Sequence, residues 1–170
     1  MSHDQLIFDV LPIAEFDWAR LRDIRLRCLA DAPEAFGSTW AAESDRLDSE
    51  WRQRAVPTAD KKMWAARRGE EWIGLVGAVR EAEVRLQLVS MWVDPAYRRQ
   101  GVARALIAAV VEWHRQREGS ELFLWVTGDN SAARRCYEQN GFQLTGAGIP
   151  FSSDPTQERV EMRYVASGLG

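Results

Sequence analysis

Two short stretches of this chain carry polar groups at spacings that suit an anionic ligand. In VDPAYRRQGVARAL, Val93 to Leu106, two arginines, a glutamine and a glycine stand at the mouth of a helix. A helix start ordinarily takes a short oxygen-bearing cap, because its first four backbone N–H groups have no partner within the helix. Here donors stand where an acceptor belongs, which points to an acceptor supplied by a ligand. Gly101 lets backbone N–H groups approach an anion without a Cβ in the way, and small Ala103 permits similar closeness. The helix terminus adds partial positive charge, and Arg98 and Arg99 offer charge-assisted bonds to phosphate oxygens. The pattern is neither GxxxxGKS/T nor GxGxxG, so the P-loop and the dinucleotide fingerprint are both excluded. A solvated basic turn is the competing reading of the segment in isolation.

The second stretch is NSAARRCYEQNGF, Asn130 to Phe142. Asn130 is a regular helix cap, and Asn130, Ala133 and Tyr137 follow i, i+3, i+7 along one face. Tyr137 is either a core aromatic with a wet hydroxyl or a donor aimed at the reacting end of the ligand held by the first stretch.

Other chemistries are poorly supplied. With His3 and His114 as the only histidines, a Ser-His-Asp or Cys-His apparatus lacks parts. Cys28 and Cys136 lie far apart within helical patterns, which speaks against a disulfide scaffold or a cysteine metal site; no metal is expected. A net charge of −3 argues against an extended nucleic-acid surface. No apolar run reaches the ~18 to 20 residues of a membrane span, and MSHDQLIF lacks a signal-peptide pattern, so the expectation is a soluble, cytoplasmic protein with no nucleic-acid or membrane partner. All but two of the 22 basic residues are arginine, a bias of composition rather than of a site.

The elements that must position these residues follow from periodicity. The 170 residues, 46% of them apolar, suffice for one core, and residues 1–170 are read as one domain. Gln5 to Val10 is a short strand. Glu15 to Ala30 is a helix with Leu21, Ile24 and Cys28 on one face, ended by Pro33. A second helix runs from about Ala42 to Ala55. Lys61 to Arg68 and Glu71 to Arg80 form a hairpin about Gly69. Val84, Leu86 and Leu88 alternate with Arg85 and Gln87 as a half-buried strand does; beyond Val89 the alternation blurs, as in a strand buried on both faces or a bulge beside a ligand. A helix from Gly101 to about Arg117, a strand from Glu121 to Thr127, a helix from Asn130 to Asn140, and strands at Phe142-Gln143-Leu144 and Val160 to Val165 complete the chain. The fold class is therefore α/β, a mixed sheet with helices on both faces.

With its two motifs in this order, about 30 residues apart, the chain resembles the GNAT superfamily of acyl-CoA-dependent N-acetyltransferases. The family signature Q/R-x-x-G-x-G/A after a V-x-P turn is matched by Val93, Pro95, Arg98, Gly101 and Ala103. The later pattern N-x-x-A-x-x-x-Y-x-x-x-G-F is matched by Asn130, Ala133, Tyr137, Gly141 and Phe142.

The resemblance implies acetyl-CoA as co-substrate and an amine as acceptor, and it leaves a homodimer open. Arg98, Arg99, Gln100, Gly101, Val102 and Ala103 would hold the CoA pyrophosphate. Backbone groups of Met91 and Val93 would pair with pantetheine as an added strand, Asn130 would touch the pantetheine arm or phosphates, and Tyr137 would protonate the departing thiolate. An N–H near Met91 is the oxyanion donor. The position that carries a strand glutamate in some members, 11 residues before Arg98, is Gln87, which cannot act as a base. Glu83, on the same strand face, or an ordered water is preferred, with Glu81, Glu121 and Asp129 as further carboxylates. The loop ADAPEAFGS places Phe36 and Gly37 on the acceptor side. A non-catalytic acyl-CoA sensor is the alternative, supported by Gln87.

Overall fold

Alternating apolar residues build the strands, and apolar residues three and four apart build the helices laid against them. The computed structural model of the protein describes residues 5–151 and 154–166. Its elements are β1 (Asp9–Pro12), α1 (Trp18–Asp31), α2 (Trp40–Ser44), α3 (Asp48–Ala55), β2 (Lys61–Arg68), β3 (Glu71–Ala82), β4 (Arg85–Val93), α4 (Val102–Arg115), β5 (Glu121–Thr127), α5 (Ser131–Gln139), β6 (Phe142–Phe151) and β7 (Asp154–Tyr164). The strands make one seven-stranded sheet in the order β1-β2-β3-β4-β5-β7-β6. Every pair is antiparallel except β4 and β5.

Each face has its own core. On one, α4 and α5 cover Leu86, Leu88, Leu124 and Met162, and α4 contributes Val102, Leu106, Val110 and Trp113 at helical spacing. On the other, α1 and α3 bury Leu21, Ile24, Cys28 and Trp51 against Leu75 and Trp92. Each fully buried side chain of this size contributes about 1.5 to 3 kcal/mol through desolvation. Gly74 sets how closely α4 approaches β3, because a Cβ there would stand 2.9 Å from Leu106 Cδ1 and 3.2 Å from Val102 Cγ1. Among the described residues no helix is long and apolar enough to cross a membrane.

Two irregularities open the middle of the sheet. The parallel register of β4 and β5 holds only from Arg85↔Glu121 to Gln87↔Phe123, although both strands run on. Beyond Gln87 they part, and backbone groups on the inner edge of β4 lose their neighbour. At the same place the β3–β4 register jumps from Leu75↔Trp92 to Gly77↔Val89, and Ser90 sits at φ 56, a region few residues other than glycine adopt. This is a bulge, which settles how the blurred alternation after Val89 is to be read.

The structure corrects several expected elements. The first strand lies at Asp9–Pro12 rather than Gln5 to Val10, on the sheet edge where Pro12 is tolerated. The helix expected over Ala42 to Ala55 is two helices. Glu43 turns inward at the end of α2, and Glu50 accepts the Leu47 N–H at 2.7 Å to start α3 afresh. The last two strands are far longer than Phe142-Gln143-Leu144 and Val160 to Val165, because Gly146, Gly148 and Pro150 conceal a strand that pairs with β7 through a bulge.

Candidate active site

The mouth of α4 is uncapped, as the residue types implied. Gly101 occupies the N-cap position at φ 87, and no side chain caps the helix. The first ladder bond runs from Ala105 N–H to the Gly101 carbonyl at 3.1 Å, so the N–H groups of Val102, Ala103 and Arg104 precede it. A Cβ on Gly101 would meet nothing within 4 Å. The glycine is thus needed for its backbone angle and for the open approach to these donors.

Arg98 does something other than what was expected of it. Its Nε donates to the Val93 carbonyl at 2.9 Å and its Nη2 to Asp31 at 2.5 Å, which fastens the turn to the end of α1. Gln100 likewise donates back to the Ala96 carbonyl at 3.2 Å. The turn's own arginine thus braces the turn, and the donors left at the helix mouth are backbone N–H groups with exposed Arg99 beside them. Burial opposes the Asp31 charge, but hydrogen bonds from Trp92 and Arg98, with the Arg98 charge, hold its carboxyl below the ordinary value. Val93 is buried, does not line the cleft described next, and offers its carbonyl to Arg98.

Where β4 and β5 part, a cleft of about 240 Å³ opens and brings together Met91, Asn130 and Tyr137 with Phe36 and Gly37. Tyr137 and Ala133 belong to the α4–α5 side of the sheet, and Phe36 to the α1–α3 side. The cleft is reached by residues from both faces. Asn130 spends its Oδ1 on capping α5, accepting from Ala133 N–H at 3.1 Å, which leaves its NH2 as the donor. Tyr137 packs edge-on against Phe142, with ring centroids 5.8 Å apart. Burial, with a smaller contribution from Cys136, pushes its phenol well above the ordinary tyrosine value. The hydroxyl therefore keeps its proton and enters any reaction as a donor.

Glu83 is placed elsewhere. It is exposed in the turn between β3 and β4, where its carbonyl accepts from Arg80, and it is absent from the cleft. It lies four positions before Gln87, which does line the cleft. Among the described residues no carboxylate lines this cleft.

Sequence reasoning missed Arg25, Ser90, Thr127 and Arg159, all of which line it. Arg25 is buried on the apolar face of α1 and holds Glu43 through two bonds of 3.0 and 2.9 Å. Its Nη1 reaches Ser90 Oγ at 3.3 Å, and its guanidinium lies over the Phe36 ring at 4.7 Å. Arg54 adds a third bond to Glu43 at 2.9 Å. A charged residue between Leu21 and Cys28 on a buried stripe was the one available signal for this network. Burial raises the Glu43 carboxyl, but the Arg25 bonds and the Arg25 and Arg54 charges more than offset it, so its pKa lies below the ordinary value.

The chain is similar to known proteins in sequence and in fold. Human N-acetyltransferase 8 is 36% identical over 88 residues, 49% of this chain and 39% of that protein. The chain thus spans about two fifths of that relative's length. The ribosomal protein bS18-alanine N-acetyltransferase of Escherichia coli K12 is 33% identical over 103 residues, 55% of this chain and 69% of that one. In fold, Arabidopsis thaliana NAA60 in complex with acetyl-CoA superposes with a TM-score of 0.69 at 23% identity, covering 95% of this chain and 100% of that one. A GNAT acetyltransferase from Streptococcus pneumoniae gives 0.75 at 16%, covering 94% and 100%. The model of the acetyltransferase (GNAT) family matches residues 18–142, a span that takes in both motifs and the parting strands between them, and the chain belongs to that family.

Proposed function

We propose that the protein is an acetyl-CoA-dependent N-acetyltransferase acting on a primary amine of a small molecule or peptide, with residues 1–170 as one catalytic domain. The observation that carries this reading is the cleft through the sheet, where Tyr137 and Asn130 from one face meet Phe36 and Gly37 from the other. The CoA pyrophosphate sits on the N–H groups of Val102 and Ala103 at the mouth of α4, with Gly101 giving access and Arg99 adding charge. Pantetheine pairs with the inner edge of β4 at Met91, which β5 no longer occupies. The acetyl thioester then lies in the cleft beside Tyr137.

The neutral amine attacks the thioester carbonyl; the N–C bond forms, the C–S bond breaks and the thiolate leaves. A β4 N–H near Met91 donates to the carbonyl oxygen as it gains charge. Tyr137 donates a hydrogen bond to the departing sulfur. Full transfer of its proton to a thiolate, whose conjugate thiol has an ordinary pKa near 8.5, is uphill for a phenol raised by burial, so the hydrogen bond is its main contribution. With Glu83 outside the cleft and Gln87 in it, the amine loses its proton to ordered water rather than to a side-chain carboxylate.

Thermal shift followed by thiol release tests the reading. Acetyl-CoA and CoA should both stabilise the protein, with ATP and NAD much weaker, and an amine panel should then release thiol. Stabilisation without release from any amine would favour the alternative, an acyl-CoA sensor, which Gln87 supports. Equal stabilisation by ATP and CoA would overturn both.

A further inference from the structure

Two charged side chains line the cleft, Arg25 and Arg159, and they differ in one respect. Arg25 is engaged, with two bonds to Glu43 and one to Ser90. Arg159, on β7 opposite Thr127, forms no ion pair among the described residues, and its Nε is buried without an acceptor. The carboxylates near it are engaged or turned away. Glu161, two residues along on the same face of β7, is bound to Arg85 at 2.7 Å, and the Glu158 side chain lies against Gly148.

The face on which Arg159 stands settles what it meets. Val160 and Met162 pack toward α4 and α5, so Arg159 points to the opposite face, the one that carries Phe36. There its guanidinium lies over the Phe151 ring, 4.8 Å from the centroid, which holds the planar group in place. A fixed guanidinium with an unspent donor, on the face that carries Phe36, is suited to a carboxylate.

Resting on the acetyl-transfer reading, we propose that the acceptor carries a carboxylate besides its amine, as an amino acid or a short peptide does, and that Arg159 receives it. The carboxylate accepts from Arg159 and turns the amine toward the thioester. An amide carbonyl can accept one bond from the guanidinium but brings no charge and no second acceptor oxygen, whereas a carboxylate brings both, so the arginine discriminates between acid and amide forms of one amine.

The test uses matched pairs: glycine, β-alanine, γ-aminobutyric acid and a dipeptide, each as free acid and as primary amide. Thiol release from acetyl-CoA is measured for wild type, Arg159→Met and Arg159→Lys. In parallel, binding of the N-acetylated acids and amides to the CoA complex is measured by calorimetry, which needs no turnover. Wild type should favour at least one acid over its amide by about tenfold or more, chiefly through KM. Arg159→Met should abolish the preference and Arg159→Lys should keep part of it, with CoA affinity unchanged in both. No acid preference in wild type by either measurement, or a preference that survives in Arg159→Met, overturns the proposal. Thiol release without acid preference leaves acetyl transfer standing and sinks this inference. Acid-selective binding without release from any amine does the reverse.

Discussion

The two sides of the cleft are built by different means. The α4–α5 side is local and made largely of backbone: an uncapped helix mouth, a glycine at φ 87 and a strand edge vacated by its neighbour. The α1–α3 side is a side-chain network across distant segments, in which Arg25, Glu43 and Arg54 hold Phe36 and the Ser90 bulge in place. The difference teaches that a binding surface of N–H groups tolerates changes in side chains around it, whereas one of buried charges fails when a single partner is lost.

The sharpest break in that comparison is Glu43→Ala. It strands two guanidiniums, one of them buried, and should cost about 3 to 5 kcal/mol of stability in denaturant unfolding. A loss below about 1 kcal/mol would mean that the network is not what holds this side. The pH dependence follows from its sign: the folded carboxyl titrates below its unfolded value. The pair's contribution is complete above about pH 4.3 and declines as the pH falls through the lower folded value. The stability gap between wild type and Glu43→Ala should therefore narrow only in acid.

Next in size is Tyr137→Phe, which keeps the ring against Phe142 but removes the donor. Turnover should fall by roughly 10²-fold, about 2.7 kcal/mol of barrier, with CoA affinity nearly unchanged. The measurement needs an acceptor fast enough that chemistry limits the rate, since slow product release masks the effect. Normal turnover by the phenylalanine variant would remove the donor role while leaving the CoA site intact.

On the backbone side, Gly101→Glu places a carboxylate at the proposed pyrophosphate site and should weaken CoA by about 1 to 3 kcal/mol. Its left-handed angle should cost a further 1 to 2 kcal/mol or so of stability. Calorimetric CoA titration and circular dichroism separate the two effects.

Arg98→Ala and Asp31→Asn sharpen the contrast further. If Arg98 braces the turn, each should weaken CoA by about 1 kcal/mol and the double variant no more than either alone. If Arg98 instead contacts phosphate, Asp31→Asn should leave CoA affinity intact or improve it.

The smallest effect belongs to Glu83→Gln. From an exposed turn outside the cleft, it should change stability by less than about 0.5 kcal/mol and leave turnover unaltered. A tenfold loss of rate would return Glu83 to the chemistry.

How much was legible depended on range. The hairpin of β2 and β3, the strand β5 and the helices α4 and α5 could be read from periods of two and 3.6 residues, because each depends on neighbours a few positions away. The glycines and proline of β6 hid a strand whose pairing with β7 supplies what its composition lacks. Of the candidate site, the uncapped mouth of α4 and the shared helix face of Asn130 and Tyr137 were readable from local spacing alone. The bond from Arg98 to Asp31 could not be foreseen, because that carboxylate stands at the far end of another element.

The sequence by itself determined the family, the layered α/β fold and the residues that line the α4–α5 side, since caps, turns and helix faces are short-range properties of the chain. Only the tertiary structure decided that β4 and β5 part after Gln87, that Glu83 stands outside the cleft, and that Arg25 is bound to Glu43 while Arg159 has no carboxylate partner among the described residues. The physical reason is that charge pairing and strand separation are set by distances between segments 18 to 76 residues apart, and no local pattern encodes which partner arrives first.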